Sequence, residues 1–169
     1  IRVDDSLAVD FETAATCTLV VTSLSDDGST STASFDVLIT DFDEFDVTAP
    51  VDDNEDDNEI PEDASAGTTA NITASSNDLD GTTNAVTYSI VSQTCNGAFS
   101  IDASSGEVSV AASSAIDHEI ASTCGITIRA TSADGSTADT TFTVEITDVN
   151  DNAPLYTATN ANPEVSEGT

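Results

Sequence analysis

Oxygen-bearing side chains are crowded into short stretches of this chain, and their spacing is its main chemical feature. The densest stretch is followed by Ala153 and Pro154. Carboxylate, amide and backbone carbonyl oxygens are the hard ligands that Ca²⁺ prefers, and each ion takes about six to eight of them. One loop cannot complete such a site, so carboxylates from elsewhere must converge on it. The loop itself offers Asp148, Val149, Asn150, Asp151 and Asn152.

Further candidate carboxylates lie on both sides of this loop. Asp117 and Glu119 precede it and flank His118, and Glu167 follows it within the run Val-Ser-Glu-Gly-Thr. The Asp-x-Glu pair, the Asp-x-Asn-Asp-Asn-Ala-Pro loop and the downstream glutamate together resemble the cadherin repeat. This resemblance implies extracellular β-sandwich domains that stack end to end and clamp Ca²⁺ ions between neighbours.

An internal repeat strengthens the resemblance, and such repetition is characteristic of tandem architectures. Residues 9–12 match residues 116–119, Cys17 matches Cys124, and each pair is 107 positions apart, as from Asp10 to Asp117. After the loop the spacing from Glu62 to Glu167 is 105, which places a two-residue insertion in the first linker.

The repeat also predicts the domain organisation. We expect residues 1–50 to be the C-terminal part of one repeat, residues 51–154 to be a complete repeat, and residues 155–169 to be the first strand of a following repeat. Ile1 is therefore not expected to be a natural chain start.

Between the acidic loops the hydrophobic pattern is that of β-strands. Apolar and polar residues alternate with period two within 86–90, 99–101, 108–110, 126–130 and 142–146. Such alternation predicts short antiparallel strands with one buried face, and no segment has a convincing helical pattern. About seven strands in some 105 residues indicate an all-β fold, a Greek-key β-sandwich of the cadherin or immunoglobulin type, in tandem.

By the resemblance, ligands from several segments meet at the first linker. Asn84 would contribute its backbone carbonyl, and Glu44, which is longer than the usual aspartate, is expected to shift or weaken one site. The second linker has the intact loop, but the Asp-x-Asp that it needs would lie beyond Thr169, so we expect it to bind incompletely. The first-linker set, sufficient for up to three ions, is Asp10, Glu12, Asp41, Phe42, Asp43, Glu44, Phe45, Glu62, Asp78, Asp80, Asn84 and Asp134.

The cysteines leave two readings open. Cys95 and Cys124 lie 29 residues apart within the expected complete repeat and could bridge two strands of one sandwich. The repeat places the expected partner of Cys17 before Ile1, and an unpaired cysteine in a secreted chain often indicates a missing partner. The alternative is three buried free thiols.

Charge restricts the partners of this chain. The net charge is −30, with two arginines and no lysine, which would repel nucleic acids and anionic membranes. From Asp41 to Glu62, both included, the chain has eleven acidic residues and no basic residue, so bound divalent ions would relieve strong repulsion there. The acidic octet 52–59 is itself expected to be a solvated linker. No apolar run is long enough to span a bilayer.

Little in the sequence favours catalysis. His118 is the only histidine, alternation predicts that it points away from the ligands in a surface or packing role, and no phosphate-binding loop is present. Asn71-Ile72-Thr73 is an N-glycosylation sequon, which fits an extracellular surface.

Three functions are consistent with these features. The preferred interpretation is a calcium-stiffened extracellular rod for adhesion, whose partners are other copies of itself or neighbouring repeats, with cell-surface proteins or glycans as further candidates. The second is a subunit of an extracellular filament that assembles by strand complementation between chains. The third is an acid-rich sandwich adapted to high salt, without specific calcium.

Overall fold

The computed structural model describes residues 9–154 and Glu167 of the chain. These residues form ten strands and one short 3₁₀ turn, Ser113–Ala115. The predicted all-β class is confirmed. The strands are β1 (Thr16–Leu24), β2 (Thr30–Leu38), β3 (Val51–Asp52), β4 (Glu59–Pro61), β5 (Thr69–Ser75), β6 (Val86–Gln93), β7 (Phe99–Ile101), β8 (Glu107–Val110), β9 (Thr123–Ser132) and β10 (Thr137–Thr147).

Strands β3 to β10 form a sandwich of two four-stranded sheets. One sheet has the order β4-β10-β9-β6 and the other has the order β3-β5-β8-β7. Neighbouring strands are antiparallel except for β4, which runs parallel to β10 and pairs Ile60 with Ile146. This parallel pairing determines which end of the sandwich the chain reaches after β4.

The core lies between the two sheets and follows the period-two pattern. Ile126 and Ile128 of β9 are fully buried, as are Ile72 of β5 and Val108 of β8. Each such side chain contributes about 1.5–3 kcal/mol when it is removed from water. The polar residues that alternate with the buried ones on β9 are less buried, and one of them, Arg129, pairs with Asp139 of β10.

A buried disulfide adds a covalent link to this core. Cys95, in the turn after β6, is bonded to Cys124 of β9, with their Cα atoms 5.7 Å apart. The bridge therefore joins two segments of one sandwich, and the alternative of three free thiols is wrong. Cys17 is exposed and unpaired among the described residues.

The 107-residue repeat is visible in the backbone. The hairpin β1–β2 starts and turns 107 positions before β9–β10, and it has the same bonding pattern at both ends. Gly28 N donates to Ser25 O, as Gly135 N donates to Ser132 O. The hairpins differ in burial, because the second sheet covers β9–β10 while β1–β2 forms a separate two-stranded sheet.

Candidate metal centre

The turn after β5 places Asp80 at the N-terminal end of the sandwich. Asp78 shapes this turn, since its Oδ1 accepts the backbone N–H of Asp80 at 3.1 Å and its Oδ2 accepts the hydroxyl of Ser132. Asp80 is only 1% exposed. Its Oδ1 accepts the backbone N–H groups of Glu44 and Phe45, both at 3.3 Å.

Asp80 belongs to two carboxylate groups at once. One consists of Glu12, Asp41 and Asp80, and the other of Asp43, Asp80 and Asp134. In each group the oxygens lie within 4.8 Å of one another. The groups thus join acidic residues from the β1–β2 unit and its exit segment to residues of the sandwich.

The carboxylates at this end repel one another and are partly removed from water, and both effects disfavour their ionised forms. Desolvation, followed by the charges of Asp134 and Asp80, raises the pKa of Asp43. Desolvation, followed by the charges of Glu12, Asp80 and Asp41, raises the pKa of Glu44. Within the described part of the chain, no cationic side chain forms a salt bridge with any of them.

Two buried oxygens at this end show that a cation fits the arrangement. Asp41 Oδ1 and Asp80 Oδ2 are buried and have no hydrogen-bond partner among the described residues. Buried polar atoms are normally paired, and an unpaired one is costly. A hard cation with several oxygen ligands would satisfy both atoms, and carboxylates are ligands suited to Ca²⁺.

A third group lies at the opposite end of the sandwich and consists of Glu62, Glu119 and Asp148. Glu62 is 7% exposed. Its Oε1 and Oε2 accept the backbone N–H groups of Val149 and His118, both at 2.7 Å. These hydrogen bonds lower the pKa of Glu62, so its anionic form is already stabilised.

The position of Glu62 corrects the sequence-based grouping, which assigned this residue to the first linker. Because β4 runs parallel to β10, both strands leave the sheet at the same end, and Glu62 reaches the Asp148 loop. The residue that matches it in the repeat, Glu167, is exposed and belongs to none of the three groups among the described residues.

Other predicted ligands lie outside the three carboxylate groups and form hydrogen bonds within the protein. Asp10 and Asp117 each cap the turn that follows, through the backbone N–H groups of Thr13 and Ile120. Asn84 donates its side-chain amide to Asp80 O at 2.8 Å. Of the other predicted carboxylates, Glu44, Asp78 and Asp151 belong to none of the three groups. The groups contain carboxylate ligands alone, so the roles predicted for the carbonyl or amide oxygens of Phe42, Phe45, Asn84, Val149, Asn150 and Asn152 stay predictions.

Two residues of this corner were not predicted from sequence. Gly81 N donates to Glu12 Oε1 at 2.9 Å, and Thr82 donates both its backbone N–H and its hydroxyl to Asp41 Oδ2. The only feature of the sequence that could have pointed to these two residues was their position directly after Asp80. Both contacts join the sandwich to the preceding unit.

His118 and Asn71 also have defined environments. His118 Nδ1 lies 2.6 Å from Ile146 O, and this hydrogen bond raises the pKa of His118. The contact agrees with a packing role. Asn71 lies in β5 and donates its side-chain amide to Asp57 O at 3.0 Å; its glycosylation stays a prediction.

The fold and these groups define a β-sandwich module that carries carboxylate groups at both ends. Residues 57–147 match the family model of the cadherin domain. The chain belongs to the cadherin family. Cadherin domains are extracellular, non-enzymatic modules of adhesion-type proteins, which confirms the predicted location and the expectation that the chain is not an enzyme.

Curated relatives and solved structures agree with this family. The chain is 37% identical to human Protocadherin-16 over 76 residues, or 45% of the chain, and 37% identical to mouse Protocadherin Fat 4 over 113 residues, or 64% of the chain. It spans 2% of the length of each. The crystal structure of the Protocadherin GammaB4 extracellular domain matches with a TM-score of 0.69 and 26% identity, covering 88% of this chain and 23% of that one.

A second solved structure, the Protocadherin gammaB7 EC3-6 cis-dimer, matches with a TM-score of 0.68 and 22% identity. The match covers 91% of this chain and 37% of that one. At this identity the likeness shows the fold alone. Among the described residues, no helix is long and apolar enough to cross a membrane.

Proposed function

We propose that this chain is a calcium-stiffened segment of an extracellular adhesive rod built from tandem cadherin repeats. In this proposal residues 1–50 are the C-terminal part of one repeat and residues 51–154 are a complete repeat. Residues 155–169 begin the next, and they lie outside the described residues except for Glu167.

One observation carries the proposal. Asp80 is shared by two carboxylate groups and has a buried oxygen without a partner. Glu12 and Asp41 come from the preceding unit, whereas Asp80 and Asp134 come from the sandwich. Bound Ca²⁺ would supply positive charge between ligands that otherwise repel one another. Neutralisation would therefore couple the two units and stiffen the linker.

Calorimetric titration of residues 1–169 with CaCl₂ tests the proposal. We expect two or more sites, and we expect Asp80→Asn to abolish most of the binding because it removes a ligand of both groups. Asp26→Asn is the matched control, since it removes the same charge from the exposed turn at the far end of β1–β2, about 30 Å along the hairpin from Glu12.

The outcomes separate the candidate functions. Calcium binding that depends on Asp80, with a melting temperature that falls in chelator, supports the rod. An absence of binding at millimolar CaCl₂ would reject it and favour the acid-rich sandwich adapted to salt. A stabilising effect of NaCl equal to that of CaCl₂ at the same ionic strength would favour that alternative further.

A second candidate is a subunit of an extracellular filament formed by strand complementation. The hairpin β1–β2 favours it, since both strand edges are open among the described residues and large apolar side chains such as Phe35 and Leu38 are exposed. Open apolar edges readily accept another strand.

Sedimentation velocity over a wide concentration range distinguishes the filament from the rod. The filament predicts large species that grow with concentration and disappear in Leu38→Asp. Val91→Asp, which changes an exposed apolar residue of the sandwich, should assemble like the wild type. A single small species at all concentrations would reject the filament.

A further inference from the structure

Gly81 is one of the residues through which the sandwich directly contacts the preceding unit. A Cβ atom added at Gly81 would lie 2.6 Å from both Cδ1 and Cε1 of Phe11, and 2.9 Å from Glu12 Oε1. Non-bonded carbon atoms pack at about 3.5–4.0 Å. The Phe11 ring therefore occupies the space that the side chain of any other residue would need.

The same residue is held through its backbone. Gly81 N donates to Glu12 Oε1 at 2.9 Å, so adjacent residues of the preceding unit contact Gly81 through both a ring and a carboxylate. Thr82 N donates to Asp41 Oδ2 at 2.9 Å and reinforces this contact. Each of these bonds joins two protein atoms directly.

The rest of the linker is already attached to the sandwich. Val47 N donates to Ser136 Oγ at 2.9 Å, and Thr48 N donates to Asn77 O at 2.8 Å. Val47 and Pro50 are both buried. The segment between β2 and Val47 is also bonded to the sandwich, through Asp41, Glu44 and Phe45. The contacts of Phe11 and Glu12 with Gly81 extend this attachment to the turn before β1.

The sequence repeat does not account for the contact. The residue 107 positions after Phe11 is His118, whose ring bonds to Ile146 O instead. A phenylalanine occupies this position in the first linker, where it faces a glycine, whereas a histidine occupies it in the second.

We propose that Gly81 is a positioning residue that seats Phe11 and thereby holds Glu12 beside Asp41 and Asp80 before calcium binds. The role of Glu12 as a ligand rests on the proposed function, whereas the seating of Phe11 does not. A side chain at Gly81 would displace the ring and the carboxylate together. Loss of such an outer partner typically weakens metal binding by about 10–100-fold.

Nuclear magnetic resonance in chelator tests whether the Phe11 ring packs on Gly81 without calcium. An aromatic ring current shifts the resonances of protons close to the ring, so we expect the α protons of Gly81 to resonate away from ordinary glycine values in the wild type and to return towards them in Phe11→Leu. Unshifted α protons in the wild type would overturn the proposal, whatever the protein does with calcium.

Calorimetry then tests the positioning. Gly81→Ala should weaken first-linker calcium binding by about tenfold, while the melting temperature of the sandwich in chelator stays unchanged. Gly125→Ala is the control, because its added Cβ would meet its nearest neighbour, Thr94, at an ordinary 3.7 Å. Affinity should be unchanged in this variant.

The double variant Phe11→Ala/Gly81→Ala tests whether Gly81 acts through Phe11. Without the ring an alanine has room, so the double variant should bind calcium no more weakly than Phe11→Ala alone. Additive losses would show that Gly81 acts independently of Phe11 and would overturn the proposal. If the wild type binds calcium and Gly81→Ala binds it with the same affinity, the positioning role is rejected and the calcium function stands. If the wild type binds no calcium, the calcium function is rejected.

Discussion

Glu62 and Val149 are joined by a 2.7 Å hydrogen bond across 87 positions of the sequence. The parallel pairing of β4 with β10 makes this contact possible, because both strands end at the same edge. A second bond, from His118 N, occupies the other carboxylate oxygen. Glu62 thus ties three segments together at the end of the sandwich where the Asp148 loop begins.

Glu62 should make stability in chelator depend on pH. Its pKa is lowered from the ordinary 4.5 by the backbone N–H groups of Val149 and His118. A lowered folded-state pKa means that the stabilisation is complete above about pH 4.5 and is lost as the pH falls through the folded value. Melting temperatures of Glu62→Gln between pH 7 and pH 3 should therefore be lower at pH 7 and converge with the wild type in acid.

Glu55→Gln is the matched control for this experiment, because Glu55 is an exposed residue of the acidic octet and belongs to no carboxylate group. Its curve should follow the wild type. A Glu62→Gln curve that stays parallel to the wild type down to pH 3 would contradict the role of the ionised carboxylate.

Asp43 should show the opposite sign. Desolvation and the charges of Asp134 and Asp80 raise its pKa, so its ionised form destabilises the fold above that raised value, and protonation relieves the cost as the pH falls. Asp43→Asn should raise the melting temperature in chelator at pH 7 and low ionic strength. It should also weaken calcium binding, because an amide replaces a charged ligand. Added salt should reduce the gain.

Asp46→Asn serves as the comparison for Asp43, since Asp46 lies in the same linker, is exposed and joins neither group. The two variants remove the same charge from nearby positions. Equal effects on calcium affinity would mean that only the net charge of the linker matters.

Some features of this fold follow from local sequence and others depend on distant partners. Ile126, Ile128 and Ala130 alternate with polar residues and form β9 as predicted. Strand β5 had a weaker signal, because its buried residues include the small side chains of Ala70 and Ala74.

The candidate site divides in the same way. Asp41, Asp43 and Asp80 could be predicted from their spacing and from the family resemblance. The end at which Glu62 lies could not, because it depends on the parallel pairing of β4 with β10. The contact of Phe11 with Gly81 likewise depends on how two units meet, which no local pattern encodes.

The disulfide should contribute substantially to the stability of the sandwich. Cys95 and Cys124 are 29 positions apart, and a bridge that closes a loop of this size stabilises by about 3.6 kcal/mol in the chain-entropy model. Denaturant unfolding of Cys95→Ser should show a loss of that order. Cys17→Ser should leave the unfolding of the sandwich unchanged, because Cys17 is exposed and unpaired among the described residues. Equal losses in both variants would contradict this assignment.

Val144 and Val37 provide a matched pair for the two hairpins, because they lie 107 positions apart in strands of the same pattern. Val144 is 0% exposed beneath the second sheet, whereas Val37 is 37% exposed on the separate hairpin. Val144→Ala should lower the free energy of unfolding by about 1.5–3 kcal/mol, since it removes buried apolar surface and leaves a cavity. Val37→Ala should change it by less than about 0.5 kcal/mol. A large loss in Val37→Ala would show that the hairpin buries this face against another chain, which would favour the filament over the rod.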